Sequence, residues 1–429
     1  MVTGTDRSAR RTHARKELCI AACEVPRHIG HGTRVTSAAT TERRSRHFRR
    51  CRNGQIFGIP TSVSELEPNR RVRIALISTP FVAVPPPRYG GTELIIHELA
   101  EGWTRRGQQV ELFATGDSRT AAQLEWLYRE AQWPPEVLTD LNHVSWCVEH
   151  ILRGPSVDII HAHSAAALAC CRLVRDIPIV YTIHHAREDQ LSSFYRHYPD
   201  VHYVAISSDQ RHREVDLPHV EVIHHGLDPA PYHAVPTHPD EYVCFIGRFA
   251  CVKGPHTAID VARRAHIAIR LAGEVHPPDQ EWADAELKSR LAEPHVTYVG
   301  AVGLREKASL LGNARALLAP IEWHEPFGLV FIEAMLAGCP VVAFARGSVP
   351  ELVENGVTGF AVSSVDDMVD VIRSGGAIES IDRARCRARA VERFSADRMV
   401  DDYLALFERL KRSPDSPGPR ESPDPRMVA

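Results

Sequence analysis

The stretch Ala316–Phe344, ALLAPIEWHEPFGLVFIEAMLAGCPVVAF, decides the fold. ALLAPIEW is a short apolar run of the kind that fills a buried strand, and CPVVAFARG is a second one. Between them LVFIEAMLAG reads as a helix closed by Gly338, with HEPFG as the loop that enters it. Strand, loop, helix and strand in so short a span form a parallel crossover unit. Two carboxylates interrupt it. Glu325 stands in the loop, and Glu333 falls in the second helical turn between Phe331-Ile332 and Ala334-Met335-Leu336. A carboxylate among such neighbours is costly unless something meets it. Either it satisfies local structure or it reaches a ligand.

The same alternation extends outward in both directions. RVRIALIS near Arg71 reads as a strand, and the proline-rich TPFVAVPPPRYGG as a loop. TELIIHELAEGWTRRG follows as a helix with Leu94, Ile95, Leu99 and Trp103 on one face, and QQVELFATGDS as the next strand. VDIIHAHS, IPIVYTIHH, VHYVAISS and VEVIHHGLD continue the set, with a small-residue helix, AAALACCRLVRD, after the first of them. A second series holds YVCFIGRF, AIRLAGEV and VTYVGAV before it reaches the opening stretch. The expected class is α/β, with two doubly wound domains facing across a cleft, because ligands of such sheets bind at the carboxyl ends of strands. The expected divisions are 71–228 and 242–395, a proline- and histidine-rich linker at 229–241, and a closing helix at 396–411. Residues 1–70 read as a basic, unstructured extension and 412–429 as a disordered proline- and serine-rich tail.

Composition limits the function classes. A chain of 429 residues with 44% hydrophobic and 24% charged residues can bury two ordinary cores. No run approaches a membrane span, the arginine-rich start does not read as a signal peptide, and the ten cysteines form no regular pattern. A reduced, cytoplasmic protein is expected, with peripheral contact at the inner face of the membrane compatible with its charge. The net charge of −3 conceals a +8 arm over residues 1–70, which leaves −11 on the remainder. Such an arm could meet nucleic acid or anionic lipid, but the solvated-extension reading is favoured and no nucleic-acid partner is expected.

Several motifs fall at strand ends. In YGGTE, Gly90 and Gly91 stand at a strand-to-helix turn where backbone can approach a ligand, although a turn needing positive φ explains the pair equally well. It matches neither a dinucleotide fingerprint nor a P-loop. In GRFACVKG, Arg248 and Lys253 follow the first strand of the second series, where paired cations suit a diphosphate. Histidines cluster at His161 and His163, His184 and His185, and His224 and His225. HAH lacks the further ligands a metal site needs, so no metal is expected, and neutral imidazoles bonded to a polar ligand fit better. Free N–H groups at the start of the helix, from Phe327 to Val330, would hold a phosphate, with Glu325 beside it and Glu333 one turn deeper.

EPFGLVFIE resembles the E-x7-E signature of the retaining glycosyltransferases with the GT-B fold, most closely family 4. GGTE, HAHS, GRFxxxKG and GCPVVA stand in that family's order, so the resemblance covers about residues 71–410. It implies two Rossmann-like domains and a nucleoside-diphosphate sugar donor, UDP in the first instance, with no cofactor. Gly90 and Gly91 would approach the donor diphosphate or the acceptor, and Arg248 and Lys253 would neutralise the diphosphate. Glu325 would bond a hydroxyl of the donor sugar, helped by the N–H groups of Phe327, Gly328 and Leu329. Glu333 would accept from the ribose, and His163 would contact the sugar near the reacting centre. The closing helix would cross back to the first domain.

Three departures from the family pattern stand out. His225 replaces an asparagine in VIHHGLD, Val252 replaces a common glutamate, and Ser348 replaces the second glycine of Gly-Gly-x-x-Glu. PPPRYGGTE and LFATGDS together resemble members that act as UDP-glucose:tetrahydrobiopterin glucosyltransferases. The expected reaction is transfer of a hexose, glucose in the first instance, to an acceptor hydroxyl on a small molecule, lipid or glycan. The alternatives are a nucleotide-sugar epimerase or a phosphorylase on the same fold, or a nucleic-acid-binding protein that uses the basic arm.

Overall fold

The computed structural model describes residues 71–412, apart from 89, 171, 172, 175 and 233–238. The basic arm, the terminal tail after Arg412, Tyr89 and residues 233–238 of the expected linker lie outside the described residues.

The first sheet holds β1 (Arg73–Ile77), β2 (Gln109–Ala114), β3 (Gln123–Trp126) and β4 (Ile159–Ala162). It continues with β5 (Ile179–Ile183), β6 (His202–Ala205) and β7 (Val220–Val222). Their order is β3-β2-β1-β4-β5-β6-β7, and all neighbours run parallel. The order turns outward in both directions from β1 and β4, which makes their carboxyl ends a topological switch point. Parallel strands need crossovers on both faces, so their side chains are covered on both sides. Ile74, Ala75, Leu76 and Ile77 are accordingly all fully buried.

The second sheet holds β8 (Tyr242–Ile246), β9 (Ala268–Ala272) and β10 (Val296–Gly300). It is completed by β11 (Leu317–Ala319), β12 (Val341–Phe344) and β13 (Gly359–Val362), in the order β10-β9-β8-β11-β12-β13. Its switch point lies between β8 and β11. Those two strands lead into GRFACVKG and HEPFG. The opening stretch is thus shorter in strand than its sequence suggests: β11 stops at Ala319, where Pro320 lacks the N–H to continue a ladder. The strands β3 and β13 were not expected. β3 is QLEW, partly exposed along its length, and such an edge strand lacks a continuous apolar run.

Helix α1 (Gly91–Arg105) packs against helix α6 (Ala396–Arg412), which ends the described chain; along the chain between them come, among others, α2 (Val137–Arg153), α3 (Leu304–Asn313), α4 (Leu329–Leu336) and α5 (Val349–Leu352). Trp103 meets Tyr403 at 6.1 Å and Phe407 at 5.3 Å between ring centroids, and its Nε1–H donates to the Val400 carbonyl at 3.3 Å. Burying each such side chain contributes about 1.5–3 kcal/mol. Gly102 makes this approach possible, since a Cβ there would lie 2.4 Å from Val400 Cγ2. Arg106 adds hydrogen bonds to Asp401 and Asp397 at 2.7 and 3.1 Å. The helix that follows the second sheet therefore packs on the first. Between its start and the first sheet, Leu227 N–H donates to the Phe394 carbonyl at 3.0 Å and Ala396 N–H to the Leu227 carbonyl at 2.9 Å.

Candidate active site

Helix α4 begins at Gly328, whose φ of 86° lies in the left-handed region, and no side chain caps it. Its first N–H groups are thus left for a ligand or solvent. The turn before it is held from behind by the GSVPE segment. Ser348 Oγ donates to the Phe327 carbonyl at 2.7 Å, and Ser348 N–H donates to the Glu325 carbonyl at 3.0 Å. Gly347, at φ 57°, lies so close that a Cβ would come within 2.5 Å of the Glu325 backbone. Ser348 in place of a glycine therefore has a structural task in this chain.

The two carboxylates are held in the same way. Lys253 Nζ pairs with Glu325 Oε2, and Trp323 Nε1–H donates to the same oxygen at 2.8 Å. Lys307 Nζ pairs with Glu333 Oε1, and the Tyr232 hydroxyl donates to that oxygen at 3.1 Å. Each glutamate is thus fixed through one oxygen by a lysine and an aromatic donor. The other oxygen, Oε1 of Glu325 or Oε2 of Glu333, takes no part in these bonds. Glu333 is 3% exposed and Glu325 7%, so neither is a solvated helix or loop residue. Two charges so buried persist only with partners, which answers the cost raised by the sequence.

Arg248 does not join this group directly; its Nε lies 3.6 Å from Asp279. Gly90 is the N-cap of α1, where a Cβ would come within 2.7 Å of Pro86. At Gly91 a Cβ would lie 3.2 Å from Leu329 Cδ1. The start of α1 from the first sheet and the start of α4 from the second therefore face each other. Beside Gly91, Glu93 accepts from Thr79 Oγ1 at 2.9 Å, and burial raises its pKa.

Histidines form the floor on the side of the first sheet. His163 follows β4, His184 follows β5, and His225 follows β7. His163 Nδ1 and His184 Nε2 are 2.6 Å apart, and His184 stacks on His225 with centroids 5.2 Å apart. His225 in turn meets Phe327 of the opposite loop edge-on at 5.1 Å. Burial holds His161 and His184 down to about 3 and His163 and His225 well below the ordinary imidazole range, so all four are neutral at pH 7. His163 Nε2 and His225 Nδ1 are buried without a hydrogen-bond partner in the protein. Among the described residues no three His, Cys, Asp or Glu side chains are grouped to hold a metal ion.

A second link joins the two sheets at their rim. Glu351 on α5 accepts from Ser208 N–H at 2.8 Å, from Ser208 Oγ at 2.9 Å, and from His224 Nε2 at 2.5 Å. Burial opposes its ionisation, but the bonds from His224 and Ser208 outweigh that and lower its pKa. Arg398 of α6 clasps the His224 and His225 carbonyls at 2.6 and 3.1 Å.

The structure brings together Lys253 and Glu325, and it sets Gly91 against Leu329. Sequence reasoning missed Trp323, Lys307 and Tyr232, noted Ser348 only as a departure from a glycine, and named His184 only as one of a cluster. Lys307 and Tyr232 are 26 and 101 residues from Glu333, so no local spacing announces them. For Glu333 the signal was its own apolar setting, which demands a partner without saying which.

Two Rossmann-like parallel sheets with strand-end loops converging from both sides are the architecture of the GT-B class. The sequence profile of glycosyl transferases group 1 matches residues 233–393, and that of glycosyltransferase family 4 matches residues 89–231. The chain belongs to the family 4 glycosyltransferases with the GT-B fold. It is 24% identical to the alpha-maltose-1-phosphate synthase of Mycolicibacterium smegmatis, over 79% of this chain and 100% of that one. It is 26% identical to the D-inositol 3-phosphate glycosyltransferase of the same organism, over 81% of this chain and 92% of that one. The fold is shared with the sucrose-phosphate synthase of Thermosynechococcus elongatus, at TM-score 0.67 and 20% identity over 79% of this chain and 99% of that one. It is shared also with Anabaena HepE in complex with UDP and glucose, at TM-score 0.61 and 20% identity over 79% of this chain and 100% of that one.

Proposed function

We propose that this glycosyltransferase moves a hexose, glucose in the first instance, from a UDP-sugar to an acceptor hydroxyl with retention of anomeric configuration. One observation carries the reading: Glu325 and Glu333 flank the uncapped start of α4, each anchored through one oxygen with the other available. That pattern suits a ligand with hydroxyls at both ends and phosphates between them. Glu325 would accept from the sugar and Glu333 from the ribose. Lys253, with Arg248 at the rim, and the N–H groups at Phe327, Gly328 and Leu329 would stabilise the diphosphate as charge develops on it. Gly90 and Gly91 would let the facing helix start come close to donor or acceptor, and His163 Nε2 would meet the sugar.

In this reading the bond from the anomeric carbon to the diphosphate oxygen breaks as the bond to the acceptor oxygen forms on the same face. The acceptor proton passes to the departing phosphate oxygen, and no protein side chain serves as nucleophile. Burial lowers the basicity of the histidine floor, so its rings are poor proton acceptors, which supports a hydrogen-bonding role over proton abstraction.

Thermal shift against UDP-, GDP- and ADP-sugars, followed by product analysis with the best donor, tests this reading. A UDP-sugar should give the largest stabilisation. A larger response to a GDP- or ADP-sugar would overturn the choice of base. Conversion of the donor sugar without an acceptor would favour the epimerase instead.

A further inference from the structure

His163 and His184 are joined through ring nitrogens 2.6 Å apart. Two neutral imidazoles at that distance share one proton in the contact, so the tautomer of either ring fixes that of the other. If His163 Nδ1 carried it, both rings would be in the less favoured Nδ1–H form. If His184 Nε2 carries it, both rings adopt the Nε2–H form that neutral imidazole side chains ordinarily prefer. His163 then presents an N–H at Nε2, the atom that is buried and unpartnered. A buried donor left unpaired costs about 1–3 kcal/mol, so the arrangement is complete only when a ligand accepts from it.

His184 is itself held in place. The His225 ring stacks on it at an interplanar angle of 21°, and His225 rests edge-on against Phe327 in the loop between the two glutamates. The ladder therefore runs from β4 through β5 to the loop of the second sheet. His161, in the layer behind His163 with centroids 4.3 Å apart, bonds Thr182 Oγ1 at 2.9 Å, and Thr182 bonds Tyr403 at 2.8 Å. His163 is thus packed from behind and bonded from the side.

We propose that His184 is a positioning residue: it donates its Nε2–H to His163 Nδ1, and so holds His163 in one orientation and one tautomer with Nε2–H presented to the donor sugar. This rests on the reading that His163 meets the sugar. Two measurements test it in the full chain. The first is the nitrogen-15 spectrum of histidine-labelled protein, with the His163 signals assigned by their loss in His163→Asn. His163 should show a protonated Nε2 and a bare Nδ1 in the wild type, and His184→Leu should mix its tautomers. Averaged tautomers, or a bare Nε2, in the wild type would overturn the inference.

The second is the ratio of affinities for UDP-glucose and UDP, which isolates the contribution of the sugar. His184→Leu should lower that ratio about tenfold, the effect of one buried hydrogen bond, with affinity for UDP kept. His184→Gln retains a donor at the same place and should stay within about threefold of wild type. A ratio that falls in His163→Ala but not in His184→Leu overturns the positioning role alone. A ratio unchanged in His163→Ala overturns the underlying reading, and the inference with it. Should His184→Leu fail to fold, His184→Gln and the wild-type spectrum still decide.

Discussion

Lys253 and Glu325 form an ion pair on the same carboxylate oxygen that accepts from Trp323 Nε1, while Lys253 also lies 4.9 Å from the centre of the Trp323 ring. The lysine is thus ordered before any ligand arrives, and a phosphate that draws it away must compete with Glu325. Lys253→Ala should weaken UDP and UDP-glucose binding together, by roughly 10- to 100-fold, as expected for loss of a charged hydrogen bond. Glu325→Ala should weaken UDP-glucose more than UDP. Calorimetric titration with both ligands separates the two roles, and equal losses in Glu325→Ala would contradict the sugar-binding assignment.

Glu333 predicts the complementary pattern. Because its free oxygen is assigned to the ribose, Glu333→Ala should weaken UDP and UDP-glucose by the same factor. The pair with Lys307 gives a stability prediction as well. Removing one partner of a buried pair leaves a charge uncompensated, so Lys307→Met should cost about 3 kcal/mol of unfolding free energy. Adding Glu333→Gln to that variant should restore part of the loss, and chemical denaturation would show it.

The histidine floor, together with the separate buried His143 of α2, makes stability depend on pH. His143 is held down to about 4, His161 and His184 to about 3, and His163 and His225 lower than the ordinary value, in each case first by burial. The unfolded chain therefore binds protons below about pH 6.5 that the folded chain refuses. Their contribution to stability is fully present above pH 6.5 and is lost as pH falls through the folded values near 4 and 3. Melting temperature should drop steeply from pH 6.5 to pH 4, and His161→Asn should flatten that drop. A profile flat over this interval would contradict neutral burial.

Glu98 on α1 has the opposite sign. Burial raises its pKa to about 7, although it accepts from Asp228 N–H at 3.1 Å. A carboxyl raised in this way favours the folded state below its unfolded value near 4.5 and loses that contribution as pH rises through 7. Glu98→Gln should therefore raise the melting temperature at pH 8, and the gain should vanish near pH 4. Differential scanning calorimetry at both pH values checks it.

The contact between α1 and α6 depends on Gly102. Gly102→Val forces side-chain atoms into the space of Val400 and should destabilise by about 1–3 kcal/mol or more. Val400→Ala should relieve part of the strain in the double variant. If the two effects simply add in denaturant titrations, the helices are not packed as described.

The alternation of apolar runs made the two sheets legible, because buried parallel strands are nearly continuous in Val, Ile, Leu and Ala. β3 escaped notice because half of it faces solvent. The expected site residues stood out where chemistry broke pattern, as with Glu333 among apolar neighbours. Their holders did not. Trp323 reads as part of a strand, Lys307 as a solvated helix residue, and Tyr232 as one residue of an irregular segment. Only the fold brings Tyr232 across 101 residues to Glu333. Ser348 looked like a lost glycine until its hydroxyl was found on the Phe327 carbonyl.

The central claim is hexosyl transfer from a UDP-sugar with retention. Proton NMR of a reaction with UDP-glucose and a panel of hydroxyl acceptors tests it most directly, by following UDP release and the anomeric signal of the product. The account predicts stoichiometric UDP and an α-glucoside, both lost in Lys253→Ala. A β-glucoside, or turnover unaffected by that substitution, would contradict it.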